Sequence, residues 1–294
     1  MESSDVSRGI DAAISIAVAL DLPADDATLL RNSNKLALRL LPCGVFARVA
    51  HVELELAPFE IELARRLAET ESPVAALEPR VEPRSYERDG FEISLWTYYE
   101  AVTSHVAVAD YASALARLHA GMRAIEVSWA ADHRGGRTPH FTDRVADPKG
   151  SVDRMPALDA ADRELLNSTL RDLGRAVTDH GAPEQLLHGE PHTGNVLSTK
   201  LGPRFIDLET CCRGPVEFDL AHGPAGVSEH YRGVDRRLLR DCQGLVLAVV
   251  AKNRCDPGDE LPNGQRALRD LLGVLRAGPP WQALDTVLPQ LRDP

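Results

Sequence analysis

The sequence lacks any apolar stretch long enough to cross a membrane. A spanning helix needs about 18 or more consecutive apolar residues, and no run among these 294 residues approaches that length. The apolar segment Ile14–Leu20 is also too short for a signal peptide, and its flanks are too acidic. We therefore expect neither a membrane partner nor a secretory leader.

Cysteine is scarce, and its spacing fits no common metal site or disulfide framework. The five cysteines lie at positions 43, 211, 212, 242 and 255. Disulfides persist in oxidising compartments, whereas scattered thiols are typical of a reducing one. The sequence therefore predicts a cytoplasmic protein.

Basic residues are outnumbered by acidic ones, 33 against 44, which gives a net charge of −11. A nucleic-acid-binding domain needs a basic surface, so we expect no nucleic-acid partner. A negative field attracts a cationic small molecule, although a charge of this sign also serves solubility alone.

Hydrophobic periodicity divides the chain into two parts. Before residue 99 the pattern predicts mainly strands with one helix; the strands are Lys35–Leu41, Val45–Ala50 and Phe91–Tyr98, and the helix is Pro58–Glu69. After Tyr99 the pattern is helical. Asp110 is expected to cap the first of these helices and Gly121 to end it; the other three are marked by 166–177, 238–249 and 267–275. The polar stretch from Asp132 to Met155 is expected to be a long loop or insertion. The predicted fold class is α+β, with a small strand-rich lobe (1–98) before a larger helical lobe (99–294).

The most informative segment is His188-Gly-Glu-Pro-His-Thr-Gly-Asn195, which Asp207 follows twelve residues later. Two β-prone runs flank Lys200-Leu201-Gly202-Pro203 and predict a hairpin. If the hairpin is symmetric about Leu201, Asn195 and Asp207 are opposite each other, with Cβ atoms ~5 Å apart. Two oxygen ligands without sulfur favour Mg²⁺, although each residue taken singly also suits a turn. Glu190 lies just upstream, within reach of an incoming hydroxyl.

A zinc site is the chemical alternative at the same segment. His188-Gly-Glu190 also begins the zinc deaminase signature, which needs Pro-Cys-x-x-Cys downstream. The adjacent pair Cys211-Cys212 does not supply that spacing. His188, His192 and Glu190 could form a facial set, but their surroundings offer no typical ligand spacing.

The segment resembles the aminoglycoside phosphotransferase family, a branch of the protein-kinase-like fold. That family's catalytic loop reads His-Gly-Asp, four residues, then Asn, and its metal-binding Asp follows in Ile-Asp-Trp/Phe-Glu. The matching residues here are His188-Gly189, Asn195, Ile206-Asp207 and Glu209. The departure is Glu190, where the family usually has Asp. The resemblance spans about residues 30–250 and is densest at 186–222.

The resemblance implies a kinase that uses ATP or GTP with Mg²⁺ and phosphorylates a hydroxyl of a small molecule, such as a cationic antibiotic or an amino sugar. It assigns the catalytic base to Glu190 and the metal to Asn195 and Asp207. It also implies that His188 braces the loop and that Asp219 is a buried support. A helix N-cap is the alternative role for Asp219.

In the first lobe the resemblance assigns nucleotide contacts to four residues. Arg48 on the third strand takes the place of the usual Lys, and Glu60 on the following helix is its partner. A surface ion pair is the alternative for these two, and Lys35 is a second candidate cation. Trp96 and Tyr98 end the last strand, where related folds contact adenine; aromatic core residues are the alternative there.

A protein without phosphoryl transfer is the competing hypothesis. Glu190 in place of Asp, and the absence of both a P-loop and a Gly-x-Gly-x-x-Gly motif, would suit a pseudokinase that binds nucleotide or a partner. Retention of both metal-ligand positions, Asn195 and Asp207, argues against it.

Overall fold

One antiparallel sheet organises the first part of the chain. Its strands are β1 (Ala24–Asn32), β2 (Leu36–Pro42), β3 (Val45–His51), β4 (Tyr86–Arg88) and β5 (Phe91–Thr97), in the spatial order β1-β2-β3-β5-β4. Helix α1 (Ser3–Ala19) precedes the sheet, and α2 (Ala57–Glu69) connects β3 to β4. The structure is a computed structural model that describes residues 1, 3–54, 57–103, 105–125, 138–146, 151–156, 158–256 and 263–289.

Helix α1 is a second helix in the first part, so the expectation of one helix there is wrong. Its inner face carries the buried residues Ala12, Ala13, Ile16 and Ala17 at helical spacing. These residues join a hydrophobic cluster with the inward-facing leucines of β2 and residues of β3 and β5. The helix therefore closes the core of the sheet.

The second part is mainly helical. Its helices are α3 (Val108–Ala124), α4 (Phe141–Val145), α5 (Ser151–Arg154), α6 (Ala160–Asp179), α7 (Val216–Leu220), α8 (Val227–His230), α9 (Arg236–Asn253), α10 (Gly264–Ala277) and α11 (Leu284–Val287). Two short antiparallel pairs lie among them: β6 (Gln185–Leu187) with β9 (Cys212–Gly214), and β7 (Val196–Thr199) with β8 (Gly202–Phe205). The α+β prediction is confirmed. No helix in the described part of the chain is long and apolar enough to span a membrane.

Both predicted ends of α3 are wrong, and the C-terminal one has a packing reason. The helix starts at Val108 after the cap Ala107, so Asp110 lies in the first turn. Gly121 lies inside the helix, where a Cβ atom would be 1.9 Å from the Ser72 side-chain oxygen. The glycine therefore permits close contact with the turn after α2 and does not end the helix.

The stretch from Asp132 to Met155 is not entirely loop. Residues 132–137 and 147–150 lie outside the described residues, but α4 and α5 occupy much of the remainder. His140 caps α4: its side chain accepts from the Thr142 amide, and the Asp143 side chain accepts from the His140 amide. This short helix reaches the candidate active site.

Candidate active site

The β7–β8 hairpin differs from the symmetric prediction by one residue. Val196 pairs with Phe205 and Thr199 with Gly202, so the turn contains only two residues, at 200 and 201. Asn195 consequently faces Ile206, whose amide donates to the Asn195 carbonyl at 3.0 Å. Asp207 therefore lies one residue beyond the position opposite Asn195.

The backbone of Asp207 is left-handed, with φ 66° and ψ 61°. Non-glycine residues rarely adopt this region, although Asp and Asn tolerate it best. The Asp207 carboxylate meets β3, where Oδ1 accepts from Nη2 of Arg48 at 2.9 Å. Burial would raise the pKa of Asp207, but the charges of Arg48 and Lys35 outweigh it and lower the pKa to about 2.

Arg48 bridges two carboxylates across the two parts of the chain. Its Nη1 donates to Glu60 Oε1 at 2.5 Å, while Nη2 holds Asp207. Glu60 is only 3% exposed, and its Oε1 also accepts from the Leu208 amide at 3.0 Å. The interpretation as a surface ion pair is therefore wrong. Beside it, the buried Lys35 forms an ion pair with Glu209.

A buried carboxylate supports the loop around Glu190. Asp219 accepts from the amides of His188 and Gly189, at 2.9 and 2.8 Å, and from Nε2 of His119 at 3.0 Å. Burial would raise the pKa of Asp219, but the His119 hydrogen bond and charge lower it. Asp219 lies inside α7, whose cap is Pro215, so the N-cap alternative is wrong.

Two residues that sequence reasoning left without a role complete this support. His119, near the end of α3, is fully buried, and its Nδ1 accepts from the Tyr231 hydroxyl at 2.7 Å. Tyr111, on the buried face of α3, donates its hydroxyl to the carbonyl of Pro191 at 2.5 Å. Helix α3 therefore supports the loop at two points: Tyr111 contacts it directly, and His119 acts through Asp219.

His188 and Gly189 fix the entry to the loop. His188 is buried, and its Nε2 donates to the Ile206 carbonyl at 2.9 Å. Gly189 has φ +89°, and a Cβ atom there would lie 2.1 Å from the carbonyl oxygen of Thr210. Only glycine fits this close backbone approach. The loop and the hairpin exit therefore form one packed unit.

Asn195 and Asp207 offer oxygen atoms suited to a hard divalent cation. The Asn195 side chain donates Nδ2 to the Glu190 carbonyl at 3.0 Å, so its Oδ1 is the atom available to a metal. A carboxylate and an amide oxygen match the preference of Mg²⁺. No group of three or more His, Cys, Asp or Glu among the described residues could hold a metal, so the zinc alternative has no geometric support.

The Glu190 carboxylate is paired with Arg144, a residue that sequence reasoning missed because it lay in the expected loop. Arg144 on α4 donates Nη2 to Glu190 Oε1 and Nη1 to the Gly189 carbonyl, the latter at 3.0 Å. Burial would raise the pKa of Glu190, but the charge of Arg144, with smaller contributions from His192 and His222, lowers it. The carboxylate is therefore ionised at neutral pH.

His222 is a buried titratable group beside this pair. Its Nδ1 donates to the Phe218 carbonyl at 2.9 Å, and within the described residues its Nε2 has no hydrogen-bond partner. Burial and the charge of Arg144 lower the pKa of His222 from 6.5 to about 4. The ring is therefore neutral at physiological pH.

The aromatic residues predicted near adenine lie at the end of β5. Trp96 is 5% exposed, packs in the core and donates Nε1 to the Ser94 hydroxyl at 2.9 Å. Tyr98 is partly exposed, and the Arg39 guanidinium lies 4.2 Å from its ring centre. Adenine contact stays a prediction for both residues.

Comparison with known proteins identifies relatives of this architecture. A sequence model described as "phosphotransferase enzyme family" matches residues 30–241, more than half of the chain. An amicoumacin kinase structure aligns with a TM-score of 0.67 and 12% identity, covering 97% of this chain and all of that one. An aminoglycoside phosphotransferase, APH(4)-Ia, gives 0.66 and 14%, covering 91% and 99%. A spectinomycin phosphotransferase gives 0.62 and 13%, covering 95% and 97%. No curated protein sequence matches significantly.

Proposed function

Because this chain belongs to the phosphotransferase enzyme family, we propose that it transfers the γ-phosphoryl group of ATP or GTP to a hydroxyl of a small molecule. One observation carries the proposal: the hydrogen bonds of Asn195 join the loop that carries Glu190 to the chain segment that leads into Asp207. Asn195 is bonded to Glu190 through its side chain and to the residue before Asp207 through its backbone. A base and two metal-ligand positions are the parts that phosphoryl transfer needs.

The nucleotide end of the site is assigned to the sheet lobe, residues 1–98. The guanidinium of Arg48 suits phosphate because it presents two parallel donors. Lys35, just before β2, adds a second positive charge. Asn195 Oδ1 and the Asp207 carboxylate would hold Mg²⁺, which when bound neutralises charge on the phosphate oxygens.

The acceptor end is assigned to the helical lobe, residues 99–294. Glu190 would orient the substrate hydroxyl and take its proton. Its pKa lies below the ordinary value, so it acts here mainly by position and charge. Asp219 and Gly189 keep the loop in one conformation, which supplies the positioning on which phosphoryl transfer depends.

The substrate is proposed to be a cationic, hydroxylated compound such as an antibiotic or an amino sugar. The net charge of −11 would attract such a molecule. Structural relatives are described in complexes with spectinomycin, hygromycin B and kanamycin, which motivates an antibiotic-resistance role for this chain. A reducing, cytoplasmic setting is proposed because the five cysteines, all among the described residues, form no disulfide.

A second candidate is a protein that binds nucleotide without transfer. The observation that favours it is that an arginine already neutralises each functional carboxylate, Arg48 at Asp207 and Arg144 at Glu190. Such a protein would bind nucleotide and show no acceptor-dependent turnover.

A screen for transfer separates the two candidates. The purified chain is incubated with ATP or GTP, Mg²⁺ and a panel of aminoglycosides, other hydroxylated amines and uncharged sugars, and phosphorylated product is detected by mass spectrometry. Product that forms with the parent and not with Glu190→Gln supports the kinase. Nucleotide binding by calorimetry, with no product from any acceptor, would favour the second candidate.

A further inference from the structure

We propose that Arg144 is a positioning residue that fixes the Glu190 carboxylate and so compensates for the extra methylene of glutamate. The proposal rests on the proposed function, because it assigns Glu190 the role of base. The proposed base and metal-ligand positions all lie within residues 188–207. The proposal adds to them a residue from α4.

The hydrogen bonds of Arg144 fix two successive residues of the loop. Nη1 binds the carbonyl of Gly189, and Nη2 binds Oε1 of Glu190. The planar guanidinium therefore fixes the Glu190 carboxylate relative to the backbone of the loop. The bond uses Oε1 and leaves Oε2 for the substrate hydroxyl. The Arg144 side chain is only 16% exposed, so bulk water screens the pair weakly.

Contacts at both ends of α4 hold the backbone of Arg144. Lys252 on α9 donates Nζ to the carbonyl of Arg144 and to that of Ala146, the latter at 2.9 Å. At the start of the helix, the ring of His140 pairs with Glu184 at 3.0 Å. A helix of five residues has little stability alone, so these anchors determine where the guanidinium lies.

The length of glutamate explains why such a clamp is needed. Glutamate has one more rotatable bond than aspartate, and its extra methylene displaces the carboxylate by ~1.5 Å from the aspartate position. A misplacement of about 1 Å can cost about 100-fold in rate. Because the guanidinium is a rigid fork with fixed donor directions, it restricts the carboxylate more than a flexible ammonium would.

Kinetics of Arg144→Gln and Arg144→Lys test the positioning role. For Arg144→Gln we expect kcat to fall about 10–100-fold. The KM for nucleotide should be unchanged, because the hydrogen bonds of the Arg144 side chain among the described residues go to Gly189 and Glu190 and not to Arg48 or Asp207. Arg144→Lys should recover part of the loss, since it restores the charge without the fork. Arg276→Gln is the matched control: Arg276 pairs with Asp162 on the surface, at 2.9 Å from Nε, and its loss should leave both constants unchanged.

A double-mutant cycle tests whether Arg144 acts through Glu190. If it does, Arg144→Gln combined with Glu190→Gln should be no slower than Glu190→Gln alone. If the double variant lost kcat by the product of the two single losses, Arg144 would contact the substrate independently of Glu190. A higher kcat in Arg144→Gln than in the parent would show that Arg144 blocks the base. Either result overturns the proposal.

A crystallographic comparison tests the same idea without turnover. In the parent, Glu190 should occupy one rotamer; in Arg144→Gln, it should be disordered or occupy another. An unchanged Glu190 rotamer in Arg144→Gln would refute the clamp, even in a protein without kinase activity. Absence of transfer by the parent would instead count against the proposed function and leave this structural test intact.

Discussion

The two arginines of the candidate site, Arg48 and Arg144, each bind one functional carboxylate but differ in their second partner. Arg48 also binds Glu60, a buried carboxylate. Among the described residues, the other hydrogen-bond partner of the Arg144 side chain is a neutral carbonyl, that of Gly189.

This difference implies that the Arg48–Asp207 contact is exchangeable, whereas the Arg144–Glu190 contact is fixed. If nucleotide phosphates bind Arg48 as proposed and draw it away from Asp207, Glu60 still compensates its charge. If Arg144 left Glu190, its buried guanidinium would keep no carboxylate among the ion pairs of the described residues. Unpaired buried charge is costly. We therefore infer that the nucleotide end is built to change partners and the acceptor end to keep them.

Glu190→Gln should have the largest effect. The amide cannot accept the hydroxyl proton, so kcat should fall by about 10²–10⁴-fold, while calorimetry shows nucleotide affinity preserved. Glu164→Gln, on the exposed face of α6, is the matched control. An unchanged rate would show that His192 or solvent takes the proton.

Asp219→Ala should destabilise the loop at the acceptor end. Two backbone amides and His119 lose their buried acceptor, so the free energy of unfolding should fall by about 3–5 kcal/mol, measured by urea denaturation. Asp235→Ala is a useful control, because Asp235 also accepts from two backbone amides but is half exposed. A similar loss in both variants would contradict the importance of burial.

The stability of the acceptor end should depend on pH through His222. The unfolded ring takes up a proton near pH 6.5, whereas the folded ring stays neutral down to about 4. The unfolded state then binds more protons, so stability falls as pH drops from 6.5 to 4, by up to about 3 kcal/mol. Unfolding of His222→Gln across this window should show a smaller slope, and the exposed His230→Gln should match the parent. Equal slopes in all three would refute the depressed pKa.

Asp207→Asn gives the smallest expected effect and tests the exchangeable contact directly. Affinity for Mg²⁺-nucleotide should fall by at least about 10-fold, because a charged ligand is lost. Stability should fall less than in Glu190→Gln, because Arg48 keeps Glu60 and the Asp207 side chain is 31% exposed, whereas Glu190→Gln leaves Arg144 without a carboxylate. Calorimetry and urea unfolding of the two variants measure both quantities. Greater destabilisation by Asp207→Asn would reverse the inferred asymmetry.

Local sequence patterns predicted much of this arrangement. The alternation over 35–50 located β2 and β3, and with them the position of Arg48. The start of α2 located Glu60 one helical turn into the next element. The catalytic-loop motif marked the segment that contains Glu190 and Asn195.

What the sequence did not predict depends on tertiary contacts. The hairpin register differs from the prediction by one residue, because the turn contains two residues. No local sequence pattern distinguished a two-residue turn from a longer one. Arg144 was missed because α4, with five residues, is too short to show periodicity and is held by Lys252 from α9. In the sequence, Gly121 suggests the end of a helix. In the structure it lies within α3, where the absence of a side chain makes room for Ser72 in the turn after α2.

The left-handed backbone of Asp207 has a consequence for how this protein could change under selection. Glycine would relieve that conformation but lose the ion pair with Arg48, so a screen for heat resistance alone should tolerate glycine at position 207 where a screen for activity should not. The same change would remove a carboxylate from the proposed metal site. Selection for heat resistance and selection for activity therefore act differently on position 207. Variants recovered with and without selection for activity should differ at this position first.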